Sequence, residues 1–189
     1  MNRQSQAFFE ARYQVSRDPW QFASSSYELH RYQTTLKALS RAAYRRGFEP
    51  GCSIGVLTAA LARRVQHLMA CDISDTAVAC AQERCRELEN IEIYQGDAAA
   101  PPHHSFDLIV FSELGYYFSA DRLESLARQM ADRLDPGGEF IAVHWLGHSA
   151  DHVLHGDEVH EVLARALPCE RISASRHSGF RIDSWRRAP

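Results

Sequence analysis

Lysine is almost missing from this chain: Lys37 stands alone, and 21 basic residues against 24 acidic ones leave a formal charge of −3 over 189 residues. A surface built to track a nucleic-acid backbone usually makes its whole domain basic, so the balance weighs against nucleic acid as a partner. Cysteine pairing signals are missing too. Cys52, Cys71, Cys80, Cys85 and Cys169 are odd in number and contain no C-x-x-C, which supports neither a disulfide framework nor a zinc knuckle and points to reduced thiols. No apolar run reaches the ~18 residues that would span a bilayer, and residues 1–14 lack the apolar core of a secretion signal. A cytoplasmic protein with no membrane partner is the expectation. Repeats, low-complexity tracts and an interdomain linker are also absent, so the 189 residues are read as one domain. Nothing in the composition bears on oligomeric state.

What is present is alternation. From Phe48 onward short apolar runs alternate with longer amphipathic ones, the pattern of β-α-β units and a mainly parallel sheet. Strands are expected at 47–50, 67–73, 91–95, 106–112 and 138–145. FDLIVFS (106–112) and GEFIAVHW (138–145) are apolar enough to be central strands covered on both faces. Helices are expected at 54–65, 75–88, 119–134 and 156–167, with DPGG (135–138) ending the third in a turn and two edge-like strands near 170–176 and 180–186. Ahead of the sheet, SSYE (25–28) has the form of a capping box, and Leu29, Tyr32, Leu36 and Leu39 then share one helical face.

The stretch FEPGCSIGVLTAALARR (48–64) joins the first strand to a helix through two glycines and a serine. Small residues there let a ligand approach the backbone while helix amides point at it. The dinucleotide fingerprint G-x-G-x-x-G needs glycine at 51, 53 and 56, where the chain has Gly51, Ser53 and Val56, and there is no G-K-[ST] for a triphosphate. The stretch resembles motif I of the class I S-adenosylmethionine-dependent methyltransferases, acidic-x-Gly-x-Gly-x-Gly, here Glu49-Pro50-Gly51-Cys52-Ser53-Ile54-Gly55, with Ser53 in place of the middle glycine.

Two later carboxylates fit the resemblance. Asp72 ends the second strand 21 residues after Gly51, where a carboxylate in this architecture accepts from the ribose hydroxyls. Asp97, in QGDA after the third strand, is in the family's position for the exocyclic amine of adenine, and Ile73 and Ala98 would flank the ring. DPW (18–20), YELHRYQTTL (27–36), SELGYYF (112–118) and AVHW (142–145) look like the NodS-like (nodulation protein S) branch of these enzymes. The resemblance implies a Rossmann-like α/β fold whose mixed, mostly parallel seven-stranded sheet has an antiparallel final strand. It further implies a core (44–189) under a helical N-terminal lid (1–43), with Trp20 at the cofactor edge, Arg31 on the methionine carboxylate, and Ser112 in the cofactor set. S-adenosylhomocysteine is the implied product. The acceptor would be a small molecule, such as the amine of an amino sugar or oligosaccharide.

In-line methyl transfer mainly requires alignment, and an amine acceptor must lose its proton first. Glu113 after the fourth strand and His144 in the fifth are the candidate catalytic groups; Tyr116, Tyr117, His152 and Asp157 are the candidate acceptor contacts. His144, His148, His152, His155 and His160 crowd into 17 residues, but Gly147 and Gly156 interrupt the run and no H-E-x-x-H is present, so no metal is expected. The Asp/Asn-Pro-Pro-Tyr loop of many nucleic-acid amine methylases is missing after the fourth strand. A nucleic-acid methyltransferase and a non-catalytic S-adenosylmethionine-binding protein are the alternatives, with a NAD-dependent oxidoreductase last.

Overall fold

The computed structural model describes residues 3–189, with side chains from residue 6. Strands β1 (Tyr44–Pro50), β2 (Val65–Asp72), β3 (Ile91–Gln95), β4 (Phe106–Ser112) and β5 (Leu134–Trp145) pair in parallel. They are followed by β6 (Glu170–Arg176) and β7 (Phe180–Arg186), and β7 runs antiparallel to both its neighbours, β5 and β6. The order across the sheet is β3-β2-β1-β4-β5-β7-β6. Chain direction across the sheet reverses between β1 and β4, joined at Gly47–Leu108 and Phe48–Ile109. In open α/β sheets a ligand crevice opens at that switch point, beyond the strands' carboxyl ends.

Alternation along the central strands divides the core between the two faces. Ile109, Phe111, Phe140 and Ala142 face one side with Trp185, against α5 (Ala120–Arg133) and α6 (Gly156–Ala166). Leu108, Val110, Ile141 and Val143 face the other with Phe180 and Ile182, against Leu57 and Leu61 of α3 (Val56–Leu61) and Leu39. Because β7 contributes to both faces it is an interior strand, a correction to the edge position expected for 180–186; β6, largely exposed, is the true edge.

Four local expectations also need correction. Helix α3 covers six residues, not the twelve of 54–65, because Gly55 enters it from left-handed backbone (φ +78°) and β2 has begun by Val65. DPGG lies within β5, where Gly137 (φ +73°) and a register shift opposite Phe106–Leu108 bend the strand. Ser25 stands at the N-cap of α2 (Ser26–Ala38) without a side-chain cap bond, and Glu28 turns inward to Arg31 rather than back to the cap. Leu29 is 44% exposed; the buried residues of α2 are Glu28, Arg31 and Thr35. Helix α1 (Arg3–Val15) falls in the N-terminal segment expected to be helical, where the sequence pattern marks no separate element. It is tied to the start of α4 (Asp75–Cys85) by Glu10, which accepts from the Ser74 hydroxyl at 2.6 Å and the Thr76 hydroxyl at 2.5 Å.

Candidate active site

The turn after β1 passes through three left-handed residues, Gly51 (φ +74°), Ser53 (φ +51°) and Gly55 (φ +78°). A Cβ at Gly51 would also crowd Leu114 at 3.3 Å. Ser53 has no such freedom, and it is held by two bonds. Its amide donates to Asp72 Oδ2 at 2.9 Å, and its hydroxyl meets that of Tyr13, from α1, at 2.5 Å. Asp72 Oδ1 accepts from the Ser74 amide at 3.0 Å. Burial pushes the Asp72 carboxyl up to about 6 against the effect of those amide bonds. Under the turn, Glu49 is fully buried; burial pushes it up to about 8, the Asp72 charge adds to this, and only Thr58 works the other way.

Above this turn lies a cavity of about 380 Å³, within the usual size of small-molecule sites. The sheet edge supplies Gly51, Ser53, Asp72, Ile73, Gly96 and Ala98; the N-terminal segment supplies Phe9, Tyr13, Trp20, Phe22, Tyr27 and Glu28. Glu113, Leu114, Tyr116, Tyr117, Trp145, Ser149 and His152 close the remaining side. Trp20 stacks on Phe22 at 5.6 Å and meets Tyr13 edge-on at 5.4 Å, so it is at once a packing residue and part of the wall. Tyr116 stacks on His152 at 3.7 Å. A recess of about 30 Å³ shares Gly51, Ser53, Phe22 and Glu113 with the main cavity and adds Arg31, Glu49 and Ser112.

Arg31 is 1% exposed and ion-paired with both Glu28 and Glu113, and these carboxylates keep it charged despite burial. Its Nε is buried without a hydrogen-bond partner among the described residues. Such an orphaned donor in a small recess fits a carboxylate. Glu113, itself left-handed at φ +56°, carries three donors: the Trp145 amide at 2.7 Å, the Tyr116 hydroxyl at 2.8 Å and Arg31.

Four sequence-derived site residues lie elsewhere. His144 is wholly buried behind the cavity: its Nε2 accepts the Gly115 amide at 3.0 Å, its Nδ1 meets His160 Nε2 at 3.2 Å, and burial holds it neutral well below the usual histidine range. With both ring nitrogens engaged it cannot reach an acceptor, which corrects its assignment as base. Asp157, in the first turn of α6, is paired with Arg176 and Arg181 and is outside the cavity lining, so its assignment as an acceptor contact is corrected too. Gly55 shapes the turn without lining it. Asp97 is next to lining residues Gly96 and Ala98 and accepts the Ala99 amide at 2.8 Å. Conversely, Tyr13, Tyr27, Glu28, Trp145 and Ser149 line the cavity although the sequence does not single them out. Tyr27 and Glu28 carry a signal in YELHRYQTTL, and the last two in the AVHW and histidine-rich stretches; Tyr13 carries none.

A methyltransferase-domain family model matches residues 48–138. A solved structure of a Pseudomonas syringae protein described as a methyltransferase is 36% identical, covers 86% of this chain and 100% of its own, and superposes with a TM-score of 0.77. N-methyltransferase NodS from Bradyrhizobium japonicum, solved with S-adenosylhomocysteine, is 23% identical over 97% of this chain and 99% of its own, with a TM-score of 0.85. Among curated proteins, nodulation protein S of Azorhizobium caulinodans is 29% identical over 67% of this chain. A Methanosarcina acetivorans protein bearing the name ribosomal RNA small subunit methyltransferase A is 36% identical over 42%. The chain spans 62% and 29% of the length of these two curated relatives.

Proposed function

The chain belongs to the class I S-adenosylmethionine-dependent methyltransferases, and from that premise we propose that it methylates the amine nitrogen of a small acceptor, with an amino sugar or an oligosaccharide amine as the favoured class. The observation that carries the reading is the cavity itself: a nucleoside-sized edge with a buried carboxylate at one side, and a wall of carboxylates and aromatic rings at the other. When bound, the cofactor supplies an electrophilic methyl group on a positively charged sulfur. Asp72 would hold the ribose, Ile73 and Ala98 the faces of the adenine, Asp97 its amine, and Arg31 with Ser112 and the Gly51–Ser53 backbone the amino-acid end. The N-terminal segment would act as a lid on the 44–189 core, with Phe9, Tyr13 and Trp20 excluding water from the reacting atoms. Alignment of this kind can supply about 7–11 kcal/mol.

The amine reading rests on complementarity. Glu28, Glu113, Tyr27, Tyr116, Tyr117 and Trp145 suit a cationic group through charge and ring faces. Among the described residues the main cavity is lined by no Lys or Arg, which disfavours a polyanion such as RNA.

Calorimetry with S-adenosylmethionine, S-adenosylhomocysteine and NAD tests the cofactor; binding of the first two, and at least about a tenfold weakening in Asp72→Ala, is the expected result. Transfer of labelled methyl to glucosamine and to a chitooligosaccharide with a free amine tests the acceptor. Binding of NAD alone, cofactor binding without turnover, or label going to RNA or a phenol and to no amine would each overturn the reading.

A further inference from the structure

Three carboxylates among the described residues line the main cavity, and they differ in the donors they already carry. Asp72 has the amides of Ser53 and Ser74. Glu113 has the Trp145 amide, the Tyr116 hydroxyl and the Arg31 guanidinium. Glu28 has Arg31. Each donor aimed at a carboxylate stabilises its charge and lowers its appetite for a proton. The three also differ in place, since Asp72 ends β2, whereas Glu28 enters from α2 beside Tyr27 and is joined through Arg31 to Glu113.

We infer that Glu28 is the group that takes the proton from the acceptor's ammonium, with Arg31 holding it in place and Glu113 serving as the fixed strut on the other side of the guanidinium. The inference rests on the amine reading above. An ammonium donates one proton to the Glu28 carboxylate; the nitrogen lone pair so freed forms the new N–C bond as the methyl–sulfur bond breaks, and Glu28 then returns its proton to water. Its surroundings favour the task. Burial raises the Glu28 carboxyl, Arg31 opposes this, and the charges of Glu113 and Asp18 raise it further. The phenols of Tyr27 and Tyr32, which also face it, stay neutral because burial raises them in turn.

The test is the pH dependence of methyl transfer to glucosamine by wild type and Glu28→Gln, with S-adenosylhomocysteine affinity measured calorimetrically on both. The side-chain amide oxygen introduced by this substitution can still accept from Arg31, so affinity should stay within about twofold and the fold should hold. At pH 6 the rate should fall by about tenfold or more, then climb as the amine deprotonates unaided, so that the two proteins converge at high pH. A Glu28→Gln protein with the wild-type pH profile would overturn the inference while leaving the methyltransferase reading intact; a wild type that labels no amine removes both. Should the Glu28→Gln protein not fold, Glu28→Asp must keep the wild-type acid limb at a reduced rate, and loss of that limb would count against the assignment.

Discussion

Ser53 occupies the place where the motif it resembles has glycine, in backbone that costs an L-residue about 1 kcal/mol. Its two bonds explain how it is tolerated there: the amide is fixed by Asp72, and the hydroxyl reaches Tyr13 on α1, joining the N-terminal segment to the turn. The residue that looks like a defect in the motif is therefore a point of contact between the two parts of the site. Ser53→Gly should leave thermal stability nearly unchanged, strain relief offsetting the lost bond, while S-adenosylhomocysteine leaves several-fold faster in stopped-flow measurements. Tyr13→Phe should do the same, and the double variant should be no worse than either single one, because both remove one interaction. Additive effects would count against a shared bond. Position 53 is visible in the sequence as a departure from glycine; Tyr13, 40 residues upstream, is not, because no local pattern records which phenol a folded chain places over a turn.

At the scale of elements, the 3-10 turn Gly115–Tyr117 carries Tyr116 and follows Glu113, and it is anchored from beneath. Gly115 donates its amide to His144 Nε2, so His144 carries its proton on Nδ1 toward His160, whose own Nδ1 is 3.0 Å from Asp183 Oδ2. Residues of β5, α6 and β7 thus converge on one backbone N–H. Close packing explains the glycine, since a Cβ there would come within 2.3 Å of Val159 and 2.8 Å of His144 Nε2. His144→Ala should leave that amide buried without a partner and open a cavity, a loss of about 2–4 kcal/mol in urea unfolding. Its methyl-transfer rate should fall without a change in the acid limb of the pH profile, because the histidine is already neutral there. Disappearance of that limb would restore His144 as a base. The strands behind this arrangement are legible as apolar runs, and α6 as an amphipathic one. The role of the histidines is not, since five of them sit in one stretch with nothing local to tell an anchor from a wall residue.

For the molecule as a whole, the site imposes a pH-dependent cost. Glu49 has its carboxyl raised from about 4.5 to about 8 in the fold, and Asp72 from about 3.8 to about 6. A carboxyl raised on folding adds stability that is fully present below its unfolded value and is lost as pH climbs through its folded value. The ligand-free protein should therefore lose stability from about pH 4 to about pH 8. Glu49→Gln should melt several degrees higher than wild type at pH 9, a gain of about 2 kcal/mol or more, and within about 1 °C of it at pH 4. Equal melting temperatures at pH 9 would show that Glu49 carries no such cost. The succession of strands and the order Glu49, Asp72, Asp97 along successive strand ends could be read from the linear chain, whereas the switch between β1 and β4 came only with the pairing of the strands. The first two rest on period-two burial and glycine-bearing turns, which are properties of neighbouring residues. The packing of distant segments settled which candidates face the cavity: Arg31 bound between two carboxylates, Glu28 with the fewest donors, His144 sealed behind the turn, and Asp157 drawn off by two arginines. Burial and partner number depend on chain segments tens of residues away, and they set what a titratable side chain can do.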